Sequence, residues 1–572
     1  MLDLVVRRGT IVDGNGGPPV QGDVGIADGR VVAVGTVDDQ ADRTVDADGL
    51  LVCPGFVDPH THYDAQLFWD PSASPSSWHG VTSVIGGNCG FTLAPLDPSD
   101  ADYTRRMMAK VEGMPLAALE AGVPWDWKGF DEYLGRLDGH VGVNAGFLVG
   151  HCALRRSVLG DEATGRASTP DERDRIAALL HEALEAGALG LSTTRSPTHT
   201  DGDDEPVPSR AASVEEVIEL CAVVGRHAGT TLEAIIEGCL GLFSEEDMDL
   251  LATMSATADR PLNWNVLGVA ANDPDRPWHQ LAASAHARAV GGRVVALTMP
   301  TLVPTTMSLG SFCALWLIPG WGEVLKLPVP ERIRYLLDPD ARATMLSAAR
   351  ASKLSFTRLA EFDNYLIGDT FSPANAGLSG RRVDEIARER GTDPFTCVAE
   401  IAADDDLRTV LWPIPTSDTA ADWELRRRVW EHPDVLLGGS DAGAHIDRMC
   451  GAPYPTRFLA DTLRGRQLLP VERAVQLMTD TPARLFGLRG RGRLVPGYAA
   501  DVVLVDPTTV DSAPPRFVTD LPGGSGRLLA DAIGIPHLFV NGVAIIDDGT
   551  PTGATPGVVM RSGRDTDTVH TR

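Results

Sequence analysis

From residue 2 to about residue 52 the chain alternates short apolar segments with Gly-rich turns: Leu4-Val5-Val6, Gly9-Thr10-Ile11-Val12-Asp13-Gly14, Asp23-Val24-Gly25-Ile26 and Arg30-Val31-Val32-Ala33-Val34. This pattern predicts a small β-module. The same texture returns at Asp501-Val502-Val503-Leu504-Val505 and from Leu538 to Ile546, so both chain termini are expected to build one small β-sandwich module around a central domain. In between, strand-like apolar runs at 51–57, 82–85, 143–149, 189–192, 231–235, 262–267, 294–299 and 435–438 alternate with helical stretches. Alternation of this kind marks a parallel sheet with crossover helices, and eight such runs predict an α/β fold, the (β/α)8 TIM barrel, with its active site at the C-terminal strand ends. Two helix starts are explicit. Thr169-Pro170-Asp171-Glu172 and Ser213-Val214-Glu215-Glu216 both read as capping boxes.

The rhythm breaks between about 302 and 416, which carries Trp316, Pro319, Trp321 and helical stretches at 330–337 and 380–390. That interval reads as an insertion after strand seven, either a substrate-covering subdomain or a packed excursion. The expected division is 1–52 and 485–560 for the β-module, 53–484 for the barrel with its insertion, and a polar tail over 561–572.

Composition narrows the function classes. At 572 residues and 43% hydrophobic, the chain is long enough for one large domain with appendages or for two to three domains. No apolar run approaches the roughly 20 residues of a membrane span, and Met1 to Arg8 reads as a strand rather than a signal peptide, so a cytoplasmic protein is expected. A net charge of −28 argues against nucleic acid and anionic membranes as partners. A small-molecule substrate is expected instead, and an oligomer is compatible with the sequence. The eight cysteines include no Cys-x-x-Cys pair and read as reduced thiols.

The candidate chemistry gathers at predicted strand ends. In Pro59-His60-Thr61-His62, residues two apart in a strand present two imidazoles to one point, a natural metal-binding pair, although two histidines in a turn are often ordinary polar residues. Strand two ends in Gly87-Asn88-Cys89-Gly90, where Cys89 offers a thiolate ligand or is a small buried thiol. Strand eight ends in Gly439-Ser440-Asp441-Ala442, where Asp441 can ligate a metal or relay a proton.

These segments, Pro54-Gly55-Phe56-Val57-Asp58-Pro59-His60-Thr61-His62, Gly87-Asn88-Cys89-Gly90-Phe91-Thr92-Leu93-Ala94-Pro95, Ser440-Asp441-Ala442-Gly443 and Gly490 to Asp501, resemble the amidohydrolase superfamily. Within it the chain is similar to the N-acyl-D-amino-acid deacylase (D-aminoacylase) group, whose mark is the Gly-Asn-Cys-Gly segment. The resemblance implies a zinc enzyme that hydrolyses a linear amide, plausible substrates being N-acyl-D-amino acids. His60, His62 and Cys89 would hold the metal, and Asp441 would act as acid/base.

The chain departs from the group at strands five and six, where the family places one histidine each. Here they read Thr231-Leu232-Glu233-Ala234-Ile235 and Leu262-Asn263-Trp264-Asn265-Val266. One divalent metal per chain is therefore expected, held by His60, His62 and Asp441 with Cys89 as fourth ligand or near neighbour, and Glu233 is the available oxygen substitute. Three further residues are candidates for substrate contact: Arg195 as a carboxylate fork or a surface ion pair, His151 as a mouth residue or a structural histidine, and His445 close behind Asp441. The missing histidines leave two other readings open: a mononuclear enzyme of this fold acting on a cyclic amide, an ester or a C–C bond, and a non-catalytic binding protein.

Overall fold

The apolar run 51–57 divides at Gly55 and serves two sheets. Leu51–Pro54 pairs with Leu2–Ile11 and with Val502–Val505, whereas Phe56–Asp58 pairs in parallel with Val81–Gly86. The single strand expected over this run is thus corrected to two. Glycine is needed at the junction because a Cβ there would lie 2.1 Å from Thr82 Oγ1, while the Gly55 N–H donates to Asp501 O. Overpacking of this kind costs about 1–3 kcal/mol. Gly55→Ala is expected to lower the urea midpoint accordingly, and adding Thr82→Ala should recover part of the loss.

The computed structural model describes residues 1–311, 313–352 and 357–572. These form two compact units, one comprising Met1–Val303 with Thr419–Arg572 and the other Pro304–Asp418. In the first unit a nine-stranded mixed sheet joins the two chain ends, with Leu51–Pro54 standing between Leu2–Ile11 and Val502–Val505. The run 538–546 is a hairpin, His537–Val540 paired with Val543–Asp547. Its turn residues Asn541 and Gly542 have φ of 48° and 81°, the left-handed pair that matches the twist of a two-residue hairpin.

The barrel strands, in order, are Phe56–Asp58, Val81–Gly86, Asn144–Phe147 continued by Val149–Gly150, Gly190–Thr194, Thr231–Ile235, Leu262–Trp264, Val294–Thr298 and Val435–Leu437. Within each of the two sheets they form, neighbouring strands run parallel. Strands eight and one close the ring through their following loops: the Asp441 N–H donates to His60 O and the His62 N–H to Ala442 O. Closure thus brings the His-x-His segment beside Asp441. Strand six ends at Trp264, shorter than its apolar run.

Helices cover the outside, among them Pro170–Glu185, Val214–Val224, Glu245–Ala258 and Arg276–Ala289. The box at Thr169 forms in full, with Thr169 Oγ1 accepting from the Glu172 N–H and Glu172 accepting from the Thr169 N–H. At Ser213 only half forms. Ser213 caps the Glu216 N–H, but the Glu216 carboxylate turns inward to Arg155 and His151.

Unit Pro304–Asp418 has its own core, in which Trp321, Phe362 and Phe395 stack. Its helices include Val329–Leu337, Pro339–Ala351, Val383–Arg390 and Pro394–Asp404. Residues 561–572, expected as a tail, lie along the first unit. The Arg561 guanidinium donates to Ala186 O, Thr566 is buried and bonded to Gly229, and His570 pairs with Asp259. Polar side chains pack there because backbone and carboxylate partners satisfy them. Among the described residues no helix is long and apolar enough to cross a membrane.

Candidate metal centre

Strand one ends at Asp58, and the next residues carry His60 and His62 inward, both buried, with ring centroids 5.3 Å apart. Asp58 accepts from the N–H groups of His60 (3.3 Å) and Ser440 (3.2 Å), which locks the strand-one loop to the strand-eight loop. Asp441 sits at φ 58°, a left-handed conformation that Asp and Asn tolerate better than most residues. Its Oδ1 lies 3.1 Å from His62 Nε2 and 3.6 Å from His60 Nε2. Cys89, also at positive φ, places Sγ 3.6 Å from His60 Nε2, and its N–H donates to Glu233 Oε2 at 2.8 Å. The loops after strands one, two and eight therefore bring His60, His62, Cys89 and Asp441 to one point, with Glu233 of strand five beside them.

Sequence reasoning missed Glu112. This residue follows helix Ala101–Val111, in the connection between strands two and three, and its Oε2 lies 3.6 Å from His62 Nε2. It is 3% exposed. The only local hint is an acid between Val111 and Gly113-Met114-Pro115, a solitary charge in an apolar setting.

Hydrogen-bonding capacity is left over at this point. His62 Nδ1, His60 Nδ1, Glu233 Oε1, Asn265 Oδ1 and both amide atoms of Asn263 are buried without hydrogen-bond partners. Buried polar atoms seldom remain unpaired in a folded protein. Imidazole nitrogens, a thiol and carboxylate oxygens are the donor types that zinc takes, so the residues fit a divalent cation.

Burial, together with the crowding of carboxylates around His62, shifts the protonation of the whole cluster. Burial pushes Glu112 up to about 7 and Glu233 up to about 8, in each case partly offset by His62. Burial opposes charge on His62, but Glu112 and Asp441 outweigh it and hold its pKa up at about 10. Asp441 lies below the usual carboxylate range because His62, and then His445, overcome its burial. Burial and the neighbouring carboxylates raise Cys89 well above an ordinary thiol.

The other candidates fall elsewhere. His151 is corrected from a mouth residue to a structural one: its ring nitrogens bond Thr193 Oγ1 (2.9 Å) and Glu216 Oε1 (2.7 Å) in a buried group with Arg155. Arg195 is likewise not in the cluster. Ser192 bonds Gly87 and Gly90 toward the strand-two turn, so the period of two places Thr193 and Arg195 on the other side. The Arg195 guanidinium donates to Ala212 O and lines a separate cavity of about 640 Å³ with Arg210 and Glu237. His445 does approach, its Nε2 3.9 Å from Asp441 Oδ2, and both side chains are partly exposed. Asn265 donates to Cys89 Sγ at 3.5 Å.

Residues 43–544 match the model of the amidohydrolase family. The chain is 29% identical to a D-aminoacylase of Alcaligenes xylosoxydans, over 98% of this chain and 97% of that one. It is 30% identical to an N-acyl-D-aspartate deacylase of the same organism, over 98% and 95%. Among solved structures, an N-acyl-D-glutamate deacylase of Bordetella bronchiseptica, complexed with zinc and a phosphonate mimic of the tetrahedral intermediate, superposes with a TM-score of 0.65 at 26% identity, covering 98% of this chain and 100% of that one.

Proposed function

The chain belongs to the amidohydrolase family, and on that premise we propose that it is a metal-dependent hydrolase of linear amides that converts an N-acyl-D-amino acid to a carboxylate and a D-amino acid. The observation that carries the reading is the convergence of His60, His62, Cys89 and Asp441, from three barrel loops, on one buried point. The named relatives support the substrate class.

His60, His62, Asp441 and Cys89 would hold one divalent cation, zinc by the softness of its nitrogen and sulfur donors. Such a cation would bring a water pKa toward about 7 and polarise an acyl carbonyl. The chain's own part is positioning and proton transfer. Asp441 accepts a proton from the attacking water as the new C–O bond forms, then returns it to the amide nitrogen as the C–N bond breaks. The products are a carboxylate and an amine. Support for this role comes from the partial exposure of Asp441, which the buried histidines lack. His445, 3.9 Å away and also partly exposed, is the group we assign to substrate contact.

Elemental analysis of purified protein is expected to give about one zinc per chain for the wild type and much less for His60→Ala, since loss of one of few ligands weakens binding by at least about 10–100-fold, the range for outer-shell losses. Wild-type protein should release the amine from a panel of N-acyl-D-amino acids. A metal-loaded enzyme that leaves the whole panel intact would overturn the substrate assignment, and cleavage of an ester or cyclic amide instead would redirect it.

A further inference from the structure

Building on the metal-dependent reading above, we propose that Glu112 is itself a metal ligand, delivered from the end of a helix outside the barrel strands. It would supply one of the donors that the missing strand-five and strand-six histidines leave out.

The strongest observation is a comparison within the molecule. Among the buried carboxylates of the described residues, Glu112 alone accepts no hydrogen bond. Glu216 has Arg155, His151 and Ser168; Asp480 has Arg493; Asp501 has Asn144, Arg491 and the Asn541 N–H. Asp201, Asp405, Asp422 and Asp434 each bond a side chain or a backbone N–H. Asp58, Asp64 and even Glu233 accept from a backbone N–H. Glu112 has only His62, at 3.6 Å. A carboxylate almost shut off from water and without hydrogen-bond donors is stabilised by a cation beside it, a place that a protonated His62 or a bound metal can fill.

Its backbone is held in place for this role. The Glu112 N–H closes the helix onto Met108 O, and its carbonyl accepts from the His445 N–H at 2.5 Å, tying it to the loop that carries Asp441. Gly113 turns the chain immediately afterwards at φ 59°, where a Cβ would meet Arg448 Nη2 at 2.3 Å. The side chain is thereby aimed at His62. One ligand atom each from Glu112, His62 and Asp441 lie within 4.8 Å of one another, the spacing of a cation's ligand shell. His62 is shared between this group and a second one, formed with His60 and Cys89.

The alternative is a structural ion pair in which Glu112 serves only to charge-balance a protonated His62. The two roles separate in a Zn²⁺ competition titration of metal-free protein against a chromophoric chelator, run with thermal melts of the same samples. For Glu112→Gln, affinity should fall by about 100-fold or more, at or beyond the top of the range for outer-shell losses. The metal-free melts show which variants are folded and therefore which affinities can be compared with wild type. Glu112→Asp, with charge kept but reach shortened, should also lose more than about 10-fold, and it decides the matter if the Gln variant does not fold. Affinity within about 3-fold of wild type in the folded variants would overturn the proposal in favour of the ion pair. A wild type that takes up no Zn²⁺ would instead overturn the metal-dependent reading as well, so the two failures are distinguishable.

Discussion

Asp441→Asn is expected to lower kcat/KM for an N-acyl-D-amino acid by about 10²–10⁴-fold, the usual worth of a positioned acid/base. The substitution isolates the chemistry because the position suits it. At φ 58° Asn is among the few residues that occupy the left-handed region readily, so the loop that closes strand eight onto strand one should keep its shape. Asn also keeps an oxygen that can face His62 Nε2, now 3.1 Å from Asp441 Oδ1. What it loses is the capacity to take a proton from water and give it to the leaving nitrogen. Two roles for Asp441 predict different responses to metal. If it acted as a ligand alone, saturating zinc would restore turnover; if it relays the proton, the fully loaded variant stays inactive. Single-turnover assays on protein of measured zinc content distinguish the two.

Glu216→Gln is expected to destabilise the barrel unit by about 3–5 kcal/mol, the cost of breaking a buried ion pair from one side. Arg155 has no exposure and places Nη1 2.6 Å from one Glu216 oxygen and 2.8 Å from the other. Removing the carboxylate charge strands the guanidinium in the interior. The same interaction can be weighed from its acidity. Burial pushes the Glu216 carboxyl up, but His151, Arg155 and Ser168 outweigh it and hold it at about 2, against 4.5 as the ordinary value. That difference is worth about 3 kcal/mol at neutral pH. The sign follows from the depressed pKa: the stabilisation is complete above about 4.5 and is lost as pH falls toward about 2. The gap in urea midpoint between wild type and Glu216→Gln should therefore be full at pH 7 and narrow steadily below about pH 4.5. A gap that stays constant down to pH 3 would mean that the loss arises from packing rather than charge.

Glu216 also illustrates where sequence reading stops. Ser213 followed three residues later by a glutamate carries every local sign of a capping box, and the helix does start there. Whether the glutamate returns to cap the helix or turns inward depended on Arg155 and His151, some 60 residues earlier. The same limit applies to Gly55. An apolar run of seven residues has the period of one strand, and only the sheet partners Val502–Val505 and Val81–Gly86 reveal that it serves two.

The candidate centre divides along the same line. His60 and His62 could be paired from sequence because a period of two is a local property, and Cys89 and Asp441 could be assigned to the same mouth because each follows an apolar strand-like run. Strand parity also held the correction for Arg195, since it shares a side with Thr193, but the inward parity of that strand was set only by Ser192 reaching Gly87 and Gly90. His151 follows its strand just as closely as His60 does, yet its ring is consumed by Thr193 and Glu216.

By itself, then, the sequence determined the alternation of strands and helices, the histidine pair and the thiol and carboxylate at strand ends, because these depend on backbone periodicity and on neighbours a few residues away. The tertiary structure decided which of those groups meet, and it added Glu112, which no strand pattern marks. Barrel closure and the docking of the helix after strand two bring residues more than 300 positions apart, Glu112 and Asp441, around one imidazole. Distances of that kind are set by packing of the whole unit, and no local pattern in the chain encodes them.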